Sequence, residues 1–381
     1  MIIILTKRDT NNIYDFISIQ LESTSKISNV VKAIRNNSDI NNLFSSYDIT
    51  HIRQAVKFIK KCNDNNQLDE STSKEVLFLM LSPKKTYKIM EKMEYAYLVS
   101  EVPSTIISAV ANVPNGIGVV ASQNVLFDIM NSKPKLFSAK EYGFLRSSSL
   151  TRLKTVKKAV ALDFSKRTIA SVVNGKIDDE QLSNLSSYFT SNSDEKVIQD
   201  LVGGQYSKNQ ISALIKLINT SETQLKENTQ AIMNPMNSAD MMTALIKAIS
   251  LFSDNPDKLA KIMKKLSSCD QNKGLGLLYC FVYGLDDNTI NLYLTNSFDS
   301  ASISQLLLAH ANGISGKNMQ RLMDAKNYED RKKLRLQMEG YSENKEIKKS
   351  ITYKFASEKS EKKNNKVTSS KNRHEVRKLG I

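Results

Sequence analysis

The residues best suited to chemistry in this chain lie between Lys133 and Lys176, and that chemistry is electrostatic. Eleven Lys or Arg stand there against Glu141 and Asp163, a net +9 within 44 residues. Phe137, Tyr142, Phe144 and Phe164 are interleaved with them. Cationic groups at this density cannot all be buried, so they face solvent or a polyanion. Arg146, Arg152, Lys154, Lys157, Lys158, Lys166 and Arg167 are the expected phosphate contacts, with Tyr142 and Phe144 as candidate base-stacking rings.

No reacting centre is expected. His51, His310 and His374 are scattered, and none is joined to a Cys or a second His at ligand spacing. Gly116 and Gly118 do not complete a dinucleotide-binding pattern, because Ala121 stands where the third glycine belongs. The acids Asp178, Asp179 and Glu180, and Asp286 with Asp287, fall where helix N-termini are expected, which explains them without catalysis. Asp163 closes the run Ala161-Leu162-Asp163-Phe164-Ser165 as a turn former; a metal-dependent reaction there would need a second acid. The expectation is therefore a non-enzymatic protein with no catalytic residue, metal or cofactor.

Charge is unevenly spread. Residues 1–132 carry a net +1, 177–325 a net −4 and 326–381 a net +9, within a chain total of +15. Concentrated basic blocks point to nucleic acid or an anionic surface. Cys62, Cys269 and Cys280 are an odd number without paired spacing, as expected of a reducing compartment. No apolar run approaches the roughly 18 residues of a membrane span. The Asn, Lys, Ser and Ile bias is that of an AT-rich coding sequence and points to a viral or mobile-element source.

The elements that must position the basic residues are predicted to be mainly α (α+β). Ile2–Thr6 and Tyr14–Gln20, where Ile17 and Ile19 alternate with polar residues, predict an N-terminal β-hairpin. Helices capped at Ser25, at Asp48 and at Thr72 with Glu75, and one opening at Ser82-Pro83, complete a lobe over 1–102. In the last of these, Lys84, Lys85, Lys88 and Lys92 with Tyr87, Tyr95 and Tyr97 make either a phosphate-binding face with a stacking handle or an outer face with its tyrosines packed inward. Residues 103–176 read as a loop-rich basic connector with short strands, including a hairpin of Ala159–Phe164 and Thr168–Val173 about Ser165–Arg167. A helical lobe follows over 177–340, with caps at Ser207, at Asn237 or Ser238, at Asn255 and at Ser302 with Gln305, and a stop at Gly313. Ser212–Lys216 and Thr243–Lys247 echo each other, as stacked helical hairpins would. Residues 341–381 are expected to be a disordered basic tail.

This layout of two lobes, a basic cleft and a basic tail resembles viral nucleoproteins in outline. The resemblance implies binding of nucleic acid, single-stranded RNA above all, by a homo-oligomer in the host cytoplasm or the virion. The alternative is a virion assembly, scaffolding or transport protein whose tail meets an acidic partner or touches a membrane peripherally.

Overall fold

One local frame recurs along the chain: an apolar residue, a Ser or Asp, three further residues, then a second apolar residue. It appears as Phe137-Ser138…Tyr142, Phe164-Ser165…Ile169, Ile177-Asp178…Leu182, Tyr206-Ser207…Ile211 and Phe298-Asp299…Ile303. In each, the Ser or Asp oxygen accepts the backbone N–H three residues on and starts a helix. Both apolar residues of each frame are buried, the geometry of a hydrophobic staple. Many short, firmly started helices follow from this.

A computed structural model of the chain describes residues 5–65, 67–82, 85–112 and 119–340. Two compact units result, Met1–Gly204 and Gln205–Ile381. The first holds α1 (Lys7–Ser23), α2 (Ile27–Asn36), α3 (Ser38–Leu43), α4 (Ile49–Asn63), α5 (Glu70–Met80), α6 (Tyr87–Leu98) and α7 (Ser104–Ala111). It continues with α8 (Val119–Ser132), α9 (Ala139–Leu145), α10 (Leu150–Ala161), α11 (Lys166–Asn174), α12 (Asp179–Ser187) and α13 (Glu195–Val202). The second opens with α14 (Lys208–Leu214) and a 3₁₀ turn at Ile215–Asn219, then α15 (Thr223–Glu227), α16 (Thr229–Ile232), α17 (Ala239–Phe252) and α18 (Pro256–Ser268). It ends with α19 (Gly274–Val282), α20 (Asp287–Thr295), α21 (Ser300–Ala311), α22 (Gly316–Met323) and α23 (Tyr328–Met338).

In the first unit helices two apart in sequence pack most extensively, and in the second α17, α19, α21 and α23 do so while α14 and α18 also pack closely on α17. In the first unit α4, α6, α8, α10 and α12 form one row, while α5, α7 and α9, and then α11 and α13, pack along a second. In the second unit α14, α17, α19, α21 and α23 form the main row. Each unit is thus a stack of helix pairs, the arrangement of an α-solenoid. The echoing segments Ser212–Lys216 and Thr243–Lys247 lie around α14 and in α17, which are packed neighbours.

The expected β-hairpins are absent, and no strand occurs among the described residues. Tyr14–Gln20 lies inside α1, where Thr10, Ile13, Tyr14 and Ile17 are buried at helical spacing and Ile19 is 61% exposed. The apparent alternation of Ile17 and Ile19 was too short to outweigh that longer period. Met1–Ile4 lie outside the described residues; Leu5 is buried and Thr6 caps α1. The central hairpin is likewise the end of α10, a tight corner and α11. At that corner Asp163 adopts φ 61° while Asp163 N–H and Phe164 N–H donate to Val160 O and Ala159 O. This is a helix-ending Schellman motif with Asp where Gly is usual. The short strands expected in 103–143 are α7, α8 and α9 instead. The final stretch near Met319–Met338 is two helices, α22 and α23. The expected tail, 341–381, lies outside the described residues.

Candidate nucleic-acid interface

The alternation of rows sorts the charge. Among the helices of the first unit, α4 carries Arg53, Lys57, Lys60 and Lys61 with no acid, and α10 carries Arg152, Lys154, Lys157 and Lys158 with no acid. With α6 balanced, α8 contributing only Asp128 and α12 contributing Asp179 and Glu180, the row sums to +5, of which its first four helices carry +7 and α12 −2. The opposite row, α5, α7, α9, α11 and α13, sums to zero.

Helical spacing places the cations in stripes: Arg53, Lys57 and Lys61 on α4, Lys88 and Lys92 on α6, Lys154 and Lys157 on α10. Cross-helix pairs tie the stripes into one face. Lys61 Nζ lies 2.5 Å from Glu94 Oε1, joining α4 to α6. Lys92 Nζ, from α6, lies 2.5 Å from Asp128 Oδ1 on α8, and Lys157 Nζ, from α10, lies 2.6 Å from Asp128 Oδ2. Burial opposes ionisation of Asp128, but hydrogen bonds from Lys157 and Lys92 outweigh it and hold its pKa below the ordinary carboxylate value. Arg53, Lys57, Lys88 and Lys154 are exposed and engage no acid among the described residues. On α6 the face also presents Tyr95, 50% exposed, whereas Tyr97 packs inward against Phe58 and hydrogen-bonds Ser73.

The residues expected from the sequence to contact phosphate divide by row. Arg152, Lys154, Lys157 and Lys158 lie on α10; Arg146 ends α9, and Lys166 and Arg167 begin α11. Three of them close helix C-termini. Arg146 donates to Asn112 O at the end of α7 (2.9 Å), and Arg152 to Val172 O (2.6 Å) and Ile177 O (2.9 Å) at and beyond the end of α11. Lys158 donates to Ser186 O at the end of α12 (2.6 Å). A cation there satisfies carbonyls that a helix leaves unpaired and meets the negative end of its dipole. A chain of many short helices has many such ends, so part of the sequence's positive charge is structural. Lys166 pairs with Glu141 at 2.9 Å, and the Lys166 and Ser138 hydrogen bonds lower the Glu141 pKa to about 2. Lys154 and Arg167 remain exposed without an acidic partner.

Of the two candidate stacking rings, Tyr142 is fully buried, packed edge-on against Phe137 with centroids 5.5 Å apart as the staple of α9. Phe144 is 61% exposed, but on α9 in the neutral row. Arg53, Lys57 and Lys61 were not among the expected contacts. Their signal, cations at i, i+4 and i+8 in a helix without acids, is visible in the sequence but carries no hint of proximity to α10.

Among the described residues, no group of three or more His, Cys, Asp or Glu side chains is placed to hold a metal ion. No described helix is long and apolar enough to cross a membrane. No protein-family model, no curated protein and no solved structure matches the chain, so the site stands on its own geometry.

Proposed function

We propose that this protein binds nucleic acid without catalysis, single-stranded RNA above all, by laying phosphates across the outward face of α4, α6, α8 and α10. The observation that carries the reading is the charge sorting, +5 on the row α4, α6, α8, α10 and α12, with +7 on its first four helices, against zero on the opposite row. Solvation alone gives charge no reason to concentrate on alternate helices, whereas a polyanion lying across a solenoid surface does. In this reading the protein works as a homo-oligomer along the strand, in the cytoplasm or within a virion, as a packaging protein of viral or mobile-element type.

Fluorescence anisotropy with a labelled RNA oligomer over a salt series tests the reading. Counter-ion release makes affinity fall steeply between low and moderate salt. The double variant Arg53→Gln/Lys57→Gln is expected to weaken binding about tenfold and to flatten the salt slope by roughly two charges. An affinity that ignores both salt and the double variant overturns it, and leaves a scaffolding protein with an acidic protein partner as the better account.

A further inference from the structure

The positive face contains an aromatic side chain that phosphate binding alone does not explain. Tyr95 is half exposed on α6, and its side chain makes no hydrogen bond or ring contact among the described residues. One helical turn on, Val99 is 61% exposed, so the outward stripe of α6 runs from Lys88 through Tyr95 to an apolar end. Cations flank the ring on both sides. Lys61 reaches Glu94, the residue beside Tyr95, from α4. Lys92, one turn before Tyr95, meets Lys157 of α10 at the shared carboxylate of Asp128.

A duplex offers such a face only phosphates and groove edges, because its bases are stacked on one another. A single strand offers both phosphates and free base faces, and basic grooves bearing aromatic rings are how such strands are held without sequence preference. We infer that Tyr95 is a stacking platform for an unpaired base, so that this face selects single-stranded over double-stranded nucleic acid. The inference rests on the phosphate-binding reading above and adds to it the residue that sets the strandedness.

The chain contains no tryptophan, so Tyr95→Trp installs a single indole reporter. Titration of that variant with oligouridylate is expected to quench its fluorescence, and titration with a hairpin duplex of equal phosphate number to leave it unchanged. In anisotropy, Tyr95→Ala is expected to lose about tenfold in affinity for the single strand, in line with the ~1–3 kcal/mol measured for one base–aromatic stack, with duplex affinity unaltered and Tyr95→Phe retaining the wild-type value. If Tyr95→Ala changes neither affinity, or both equally, while Arg53→Gln/Lys57→Gln weakens both, the stacking role is wrong and the phosphate face stands. If the charge variant also has no effect, the reading beneath it falls too.

Discussion

Lys92 and Lys157 come from helices two apart in one row and donate to opposite oxygens of one carboxylate, Asp128. Both ammonium groups remain partly open to solvent, at 27% and 47% exposure. The pair therefore joins three helices and presents more positive than negative charge on the proposed binding face.

Asp128→Asn separates those two roles. It removes the only acid of α8 and leaves two lysines without a counter-charge. Nucleic-acid affinity is expected to rise a fewfold, with a steeper salt slope, while stability falls by about 1 kcal/mol, typical of partly exposed pairs. Anisotropy and chemical denaturation on the same sample measure both. The pH dependence has a definite sign. The folded pKa of Asp128 is depressed, so its contribution is present above the unfolded carboxylate value of about 4 and is lost as pH falls through the lower folded value. In melts from pH 6 downward, wild type and Asp128→Asn should converge below about pH 4.

A second consequence concerns Asp163, whose positive φ is explained by the corner it makes between α10 and α11. Its carboxylate also pairs with Lys133. Asn tolerates the left-handed conformation and a β-branched residue does not. Asp163→Asn should remain within about 0.5 kcal/mol of wild type, and Asp163→Val should lose about 1–2 kcal/mol. Equilibrium urea unfolding ranks the two.

How much was legible in the sequence follows from the range over which each signal acts. Caps are local, and Asp48, Ser207 with Gln210, Ser238, and Asn255 before Pro256 start helices as their types dictate. But α2 starts from Lys26 rather than Ser25, and Asp69 and Asp299, three residues before Thr72 and Ser302, start α5 and α21 in their place. The strand readings failed because runs of five to seven residues holding a few apolar positions fit a half-buried helix turn as well as a strand. The site was legible only in part. A contiguous window finds Lys133–Lys176, but successive helices go to different rows, so Lys154 and Lys157 stand in the same row as Arg53, Lys57 and Lys61 while Lys166 and Arg167 do not. Which cations would cap helix ends rather than face solvent was equally hidden, because Arg152 and Val172 meet only in the fold.

Arg331 shows the same limit in the second unit. Counted in the sequence as part of the basic C-terminal block, it is 2% exposed. Its guanidinium donates to Leu322 O (2.9 Å), Ser302 Oγ (2.8 Å) and Ala325 O (2.6 Å) and stacks over Phe298 at 4.7 Å. It knits α21, α22 and α23 together. A lysine cannot reproduce that fork, so Arg331→Lys should lose about 2–4 kcal/mol, through acceptors left unpaired in the interior. Nucleic-acid affinity at temperatures where the variant stays folded should be unchanged.

The main row of the second unit carries Gly274 at the start of α19 and Gly276 within it, and glycine within a helix normally costs stability. A Cβ on Gly276 would stand 2.8 Å from Ile303 Cβ, and one on Gly274 would stand 3.1 Å from Ala244 Cβ. α19 thus packs glycine-close to α21 on one side and α17 on the other, and Asp240 of α17 accepts from Leu275 N–H (3.1 Å) at its start. Propensity alone would make Gly276→Ala stabilising by about 1 kcal/mol. Overpacking reverses the sign, with an expected loss of about 1–3 kcal/mol. The obstacle is the Ile303 side chain rather than backbone. Ile303→Ala destabilises on its own, yet Gly276→Ala should cost less in that background, and a double-mutant cycle by urea unfolding reads the difference directly. An additive pair would mean that helix packing at this point is looser than the close contact between Gly276 and Ile303 requires.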